Sequence, residues 1–381
     1  MTEFVPTGGR ESTHGENSPF LSLFPLWNWR GSVFRKNKSV VGLDLGSHVV
    51  KAVEITMEGT EPVLTAFARA EVQPGGDRSA AIAQVFEQGA FKSRNVVTSV
   101  AGQSVVVRYI SMVEMSDSEL SQAIRFESDK YLPFDADEVA IDCQRLNRPP
   151  QASEGSEEQM SVVLAACRNT VVEEKVEEVT RQGLTPVAVD VDVFALANAW
   201  ELCDTAVHGT EDEEAEHEER TIALVDIGSS RTSINVVCDG ETCFSREIGI
   251  GGSDMTQAIA RRMGLEILEA ETIKHQPDGR DAEVSRAISP VLEDLVSEIS
   301  LSLDFVENRE SLRVEEVLLS GGGILAPGVV PFIEQATGRP SRPWNPVQSL
   351  RVGPQVDSEM ISEFAPTLAV AVGLASRVRT A

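Results

Sequence analysis

Aromatic residues are scarce in this chain, at 5% of the composition, and only five of its 381 residues are cysteine. Those five, Cys143, Cys167, Cys203, Cys238 and Cys243, form neither a CxxC pair nor a cluster with histidine. Their spacing fits no zinc site and no disulfide framework, and a reducing compartment is the expectation. No run approaches the roughly 20 apolar residues that a membrane-spanning helix needs. The N-terminal stretch MTEFVPTGGRESTHGENSP is polar and lacks the apolar segment of a signal peptide, so a cytoplasmic location is expected. Positive charge is short as well: 33 Lys and Arg stand against 60 Asp and Glu, a net charge of −27. Nucleic acid is excluded as a partner on that ground, because a basic face is needed to displace counterions from phosphates.

Hydrophobic residues make up 41%, enough for a sizeable core. At about 150 residues per domain the length predicts two or more domains. Residues 1–38 read as a disordered arm. It holds an aromatic run from Phe20 to Trp29 and then Arg30, Arg35, Lys36 and Lys38, the most basic patch of an acidic chain. Such an arm suits either contact with an anionic membrane surface or packing of its rings on the adjacent domain. Seven carboxylates between Glu211 and Glu219 read as a solvated loop with no metal-ligand spacing.

From Ser39 the pattern is β: SVVGLDLG, VVKAVEIT and PVLTAFARAEV are short β-branched runs parted by turn residues, a meander. Helices are expected over 78–92, from Asp117 or Ser118 to Tyr131, over 171–182, 253–274 and 288–309. NVVTSVAGQSVVVRYISMV, SVVLAACR, TPVAVDV and VEEVLLS read as further strands, and Asn147 to Met160 as a polar loop. The order predicts a mixed α/β chain in two halves.

The informative feature is one turn that occurs twice. Val41-Gly42-Leu43-Asp44-Leu45-Gly46-Ser47 and Leu224-Val225-Asp226-Ile227-Gly228-Ser229-Ser230 each deliver an Asp at the end of an apolar strand, then Gly-Ser. Glycine lets the backbone bring successive N–H groups to phosphate oxygens, and the serine hydroxyls add donors. The aspartates cannot face phosphate without repulsion, so Asp44 and Asp226 would hold Mg2+ through water. A third turn, Gly321-Gly322-Gly323, again ends an apolar strand, where a side chain would block a flat base or ribose. There is no GxxxxGK[ST], no GxGxxG and no GxSxG, which removes the P-loop, the dinucleotide fingerprint and the nucleophile elbow.

Two DxGS hairpins and a late GGG resemble the actin-like ATPase superfamily. DSELSQAIRFESDKYLPFD (117–135), GLTPVAVDVDVFALAN (183–198) and EISLSLDF (298–305) are similar to the PilM family within it, across about 39–375. The resemblance implies an α/β fold of two lobes around a nucleotide cleft, with an inserted small α+β domain in the first lobe. The lobes are expected at 39–107, 186–205 and about 330–381 for the first and 206–329, with an acidic loop at 206–220, for the second; the inserted domain is expected at 108–185. ATP with Mg2+ is the implied cofactor. Carried over by position, Asp44, Gly46, Ser47 and Lys51 form the first phosphate loop, and Asp226, Gly228, Ser229 and Ser230 the second. Gly251, Gly252, Gly321, Gly322 and Gly323 would approach ribose and base. Glu271 and Lys274 would either cover adenine or ribose or form an ordinary surface ion pair.

His48 follows the first turn where relatives carry small hydroxyl residues, and reads as a bystander at the rim. Asp192 falls on the position where hydrolytic relatives place a Glu or Gln that orients water, with a shorter reach; Asp190 and Asp192 could act as water-positioning groups or could equally cap the helix that follows. Slow or absent hydrolysis is expected. The implied role is a scaffold of type IV pilus biogenesis that binds the N-terminal cytoplasmic peptide of PilN. Other platform and motor proteins are implied partners, and the inner membrane is reached through partners or through the arm at 20–38. The alternatives are an FtsA-like filament protein at the membrane, or a small-molecule kinase of the same fold.

Overall fold

The computed structural model describes residues 39–73, 75, 77–148, 159–208 and 220–379. The arm of 1–38, residues 149–158 of the polar loop and the acidic run 211–219 lie outside the described residues.

Strands β1 (Ser39–Leu45), β2 (Val49–Glu58) and β3 (Glu61–Glu71) form the expected antiparallel meander. After α1 (Ser79–Gln88), β4 (Asn95–Val100) lies parallel to β1. The chain then leaves this sheet for β5 (Val105–Val113), α2 (Asp117–Glu127), β6 (Val139–Leu146) and β7 (Gln159–Arg168), a separate three-stranded antiparallel sheet of order β5-β7-β6. Helix α3 (Asn169–Thr180) leads back to β8 (Thr185–Val191), parallel to β4, and α4 (Asp192–His208) follows at once.

The second half repeats the first. Strands β9 (Thr221–Ile227), β10 (Thr232–Cys238) and β11 (Glu241–Ile248) make a meander. Helices α5 (Gly252–Met263), α6 (Ile267–His275) and α7 (Asp281–Glu310) precede β12 (Glu316–Ser320), which is parallel to β9. Helix α8 (Val329–Thr337) connects to β13 (Ser341–Pro343), parallel to β12. The short β14 (Arg351–Val352) then joins the edge of the first sheet beside β3, and α9 (Ser358–Phe364) and α10 (Ala369–Ala375) end the described chain.

The sheets therefore run β14-β3-β2-β1-β4-β8 and β11-β10-β9-β12-β13. Without the added edge strand β14, each has its third, second, first, fourth and fifth strands side by side. Return to the first sheet comes at β14, after α8 and β13 have completed the second, and so beyond the expected boundary near 330.

Several local expectations change. The helix expected over 253–274 breaks at Gly264, whose φ of 68° suits glycine and ends α5. Helix α7 begins at Asp281, ahead of 288, and keeps Pro290 inside it. Ser116, one residue before the expected cap, forms a reciprocal capping box with Glu119. Phe126 on α2 is 91% exposed, while Ile124 and Leu132 are buried. Cys238 and Cys243 meet as a disulfide across the β10–β11 hairpin, against the expectation that the cysteines stay separate.

Among the described residues no single helix is long and apolar enough to cross a membrane. The most apolar helix, α10, is buried throughout and packs in a core with Ala195, Leu196 and Ala199 of α4.

Candidate functional site

Two matched hairpins face each other across a cleft of about 970 Å3. Its lining includes Asp44, Gly46, Ser47, Lys51, Asp192, Asp226, Gly228, Ser229, Ser230, Gly252, Glu271, Lys274 and Gly321 to Gly323. Of the residues expected to contact nucleotide or cation, Gly251 alone is not part of that surface. It lies beneath the second turn, where an added Cβ would stand 2.6 Å from the Ser229 carbonyl oxygen. The two turns come close at their tips, where Ser47 Oγ is 3.4 Å from Ser230 Oγ.

Strand pairing sets the floor of the cleft. Asp44 of β1 is directly opposite Lys51 of β2, and Lys51 Nζ donates to Asp44 Oδ2 at 2.8 Å. In the second hairpin Asp226 is opposite Ser233, so the same register carries a hydroxyl where the first carries an ammonium. Asp226 accepts from Ser320 Oγ at 2.8 Å, across the parallel β9–β12 pair. Asp192 enters from the first turn of α4.

Three carboxylates thus surround one ammonium. Burial, followed by the charge of Asp44, pushes the carboxyl of Asp192 up to about 7. Burial raises Asp226 as well, against the opposing pull of Lys51 and Ser320. For Lys51 burial works downward, but Asp44 and Asp226 outweigh it and hold the ammonium above its ordinary range. With all four ionised the floor carries +1 − 3 = −2, a surplus that a bound cation would neutralise. Among the described residues no group of three or more His, Cys, Asp or Glu is arranged to hold a metal ion directly.

The wall on the second-lobe side is built around Lys274, which is 3% exposed and so no surface ion-pair partner. Its Nζ donates to Glu271 at 2.7 and 2.9 Å, to Thr256 Oγ1 at 2.9 Å and to the Gly252 carbonyl at 3.2 Å. This ties α6 to α5. Burial would raise the Glu271 carboxyl, but hydrogen bonds from His275 and Lys274 overcome it and hold the group well below the carboxylate range. His48, expected as a bystander, reaches across the cleft mouth to 3.7 Å from Glu271 Oε1.

The glycines keep backbone exposed where side chains would intrude. Gly321 has φ 90°, and a Cβ there would stand 2.3 Å from the Ile227 carbonyl oxygen; one on Gly46 would be 2.4 Å from the Val49 oxygen. A Cβ on Gly322 would meet nothing within 4 Å, so this position borders open cleft. Seryl hydroxyls, bare backbone and one ammonium above a carboxylate floor make a donor set that fits a phosphate chain with its divalent cation.

Asp190 does not share the cleft. It is fully buried beside Arg377, which donates to it through Nε at 2.8 Å and Nη2 at 2.6 Å, and beside Asn198 at 3.2 Å. It is therefore not free to orient water. Four cations at the cleft, Arg69, Arg78, Lys175 and Arg231, fall outside the expected site residues, and Arg78 and Lys175 share one carboxylate. Their partner Glu178 lies on α3, and nothing local in the sequence joins α3 to the first turn.

Comparison with known proteins agrees with this geometry. The family model described as type IV pilus assembly protein PilM matches residues 42–379. A solved PilM-PilN type IV pilus biogenesis complex contains a chain 30% identical to this one, with a TM-score of 0.75 over 89% of this chain and 98% of that one. The cell division protein FtsA of Escherichia coli K12 is 26% identical over 308 residues, 70% of this chain and 69% of FtsA. The ethanolamine utilization protein EutJ from Carboxydothermus hydrogenoformans, 17% identical with a TM-score of 0.51 over 89% of both chains, shares the fold alone. The two-lobed architecture is thus the expected actin-like ATPase fold, and the chain belongs to the PilM family of type IV pilus assembly proteins.

Proposed function

We propose that this chain is a nucleotide-binding scaffold of type IV pilus assembly that takes ATP with Mg2+ in its cleft and binds the N-terminal peptide of PilN. The observation that carries the nucleotide reading is the pair of equivalent Asp-x-Gly-Ser turns meeting at Ser47 and Ser230, 183 residues apart in sequence. Backbone and hydroxyls of Gly46, Ser47, Gly228, Ser229 and Ser230 would hold the phosphates, and Lys51 would add charge from below. Asp44 and Asp226 would hold Mg2+ through water, and the ion would screen the phosphates from the three carboxylates. Lys274 keeps the α5–α6 wall in place beside Gly252, and Gly322 leaves room for the sugar and base.

Asp192 is the group suited to accept a proton from water, because its carboxyl, raised to about 7, is near neutral-pH balance. Its short reach keeps slow hydrolysis as the expectation. The PilN reading rests on the relative solved as a PilM-PilN complex. Through that peptide the chain would be held at the inner membrane, alongside the other platform and motor proteins. An extended apolar peptide would need main-chain partners and apolar pockets on the surface that holds it.

Calorimetry with MgATP, and separately with an N-terminal PilN peptide, tests both parts on wild type and on Asp44→Ala/Asp226→Ala. The double variant is expected to lose MgATP affinity by at least about tenfold, since two charge-assisted contacts disappear. Unchanged nucleotide affinity would sink the site assignment. Peptide binding that is the same with and without ATP would leave the scaffold and remove any nucleotide control of it.

A further inference from the structure

Helix α3 joins two bodies. Its Val172 is buried with Val163 and Ala165 of β7 in the inserted sheet, and its Val179 with Val41, Leu43 and Ile82 under the first sheet. Between these two anchors stand Lys175, which lines the cleft, and Glu178. Glu178 is gripped by Arg78 in a bidentate pair, with Nε to Oε1 at 2.6 Å and Nη2 to Oε2 at 3.0 Å. The same Arg78 donates through Nη1 to the Leu45 carbonyl at 3.2 Å, immediately before Gly46 of the first turn. One guanidinium therefore fixes α3 to the backbone of the first Asp-x-Gly-Ser turn.

Lys175 is less well satisfied. Its Nζ is 3.8 Å from Glu178 Oε2, and its side chain is 17% exposed while lining the cleft. Two cations share one carboxylate, so the cleft wall at α3 carries a surplus of 2 − 1 = +1. Burial and the neighbouring Arg78 act against the ammonium form of Lys175 and outweigh the pull of Glu178, Asp192 and Asp44, so a further anion would stabilise it. The opposite wall has another character: Leu268 and Leu325 line it and are 70% and 41% exposed. Exposed Leu268 and Leu325 at one wall and Arg78 and Lys175 at the other orient an amphiphilic anion with its apolar end toward α6.

We propose that Lys175 contacts the terminal phosphate of a nucleoside triphosphate and makes this cleft prefer the triphosphate to the diphosphate. The inference rests on the nucleotide reading above and deepens it. A diphosphate, one group shorter, leaves Lys175 with its 3.8 Å contact alone. A triphosphate supplies further counter-charge on a helix that reaches into both the first lobe and the inserted domain.

Calorimetry on the full chain with Mg2+ tests this, titrating a non-hydrolysable ATP analogue and ADP into wild type, Lys175→Met and Lys175→Arg. Loss of one charge-assisted contact is expected to weaken analogue binding by roughly ten- to a hundredfold in Lys175→Met, with ADP affinity unchanged. Lys175→Arg, which keeps the charge, is expected to keep the preference. Equal losses for both nucleotides, or no loss for either, overturn the proposal and leave nucleotide binding standing. A wild type that binds neither overturns the nucleotide reading and this proposal with it. Thermal melting of both variants near the wild-type temperature shows that the fold is retained.

Discussion

Gly373 of α10 lies against Ala195 of α4 so closely that a Cβ on the glycine would stand 1.7 Å from the alanine carbonyl oxygen. On the other side of α10, Gly42 of β1 makes the same kind of approach, with a Cβ position 2.0 Å from the Ala371 oxygen. Two bare α-carbons thus let α10 sit between the first sheet and the helix that carries Asp192. Gly373→Ala is expected to destabilise the chain by about 3 kcal/mol or more, because the α4 backbone at Ala195 must move away from α10. Gly249→Ala, where a Cβ would meet nothing within 4 Å, is expected to cost under about 1 kcal/mol. Urea denaturation midpoints compare the two, and equal shifts would show that α10 is not held this tightly.

Asp192 gives a pH signature. Its carboxyl is raised from 3.8 to about 7, so the folded state holds the proton more firmly than the unfolded state. The stabilisation is then complete below the unfolded value and is lost as pH climbs from about 4 to 7. Asp192→Asn removes the ionising group. It is expected to be more stable than wild type at pH 8 by on the order of 2 kcal/mol, with the difference shrinking toward pH 4. Denaturation in metal-free buffer across that range measures it, and a constant difference would place the raised carboxyl elsewhere.

What could be read in the sequence was local. The turns at Asp44 and Asp226 announce themselves because strand, Asp, Gly and Ser are consecutive, and their order within two meanders carries the fold class. The Asp44–Lys51 pair was within reach too, being seven residues apart on adjoining strands. Arg78 and Glu178 are 100 residues apart, and only folding of the inserted domain brings them together. Lys175 was invisible for the same reason. Strands β13 and β14, of three and two residues, are too short for alternation to register. The Glu271–Lys274 spacing fitted an exposed pair equally well, and burial against Thr256 and Gly252 was decided by packing.

That buried pair has its own consequence. Replacing Lys274 by Met leaves Glu271 half-buried, with hydrogen bonds to Thr256 and His275 and the more distant His48 to satisfy it. Lys274→Met is expected to cost about 2–4 kcal/mol at pH 7. The cost should fall on acidification, because protonating Glu271 in the variant relieves the stranded charge. Thermal melts of wild type and variant at pH 7 and pH 4.5 report this; a cost that does not change with pH would mean that the carboxylate finds water instead.

The Asp190–Arg377 pair fastens the C-terminal turn to the end of β8, with both side chains buried. Removing one partner strands a charge that the interior cannot solvate, and Arg377→Met alone is expected to cost about 3–5 kcal/mol. Asp190→Asn in the Arg377→Met background removes that charge while keeping an amide near Asn198 and the Val191 N–H. The double variant is expected to recover about half of the loss, giving a coupling energy of roughly 1–3 kcal/mol in a double-mutant cycle. Additive single losses would show that the two groups act separately. In that case the C-terminal turn is held by the packing of Val378 and Leu374 in the α4–α10 core, and not by charge.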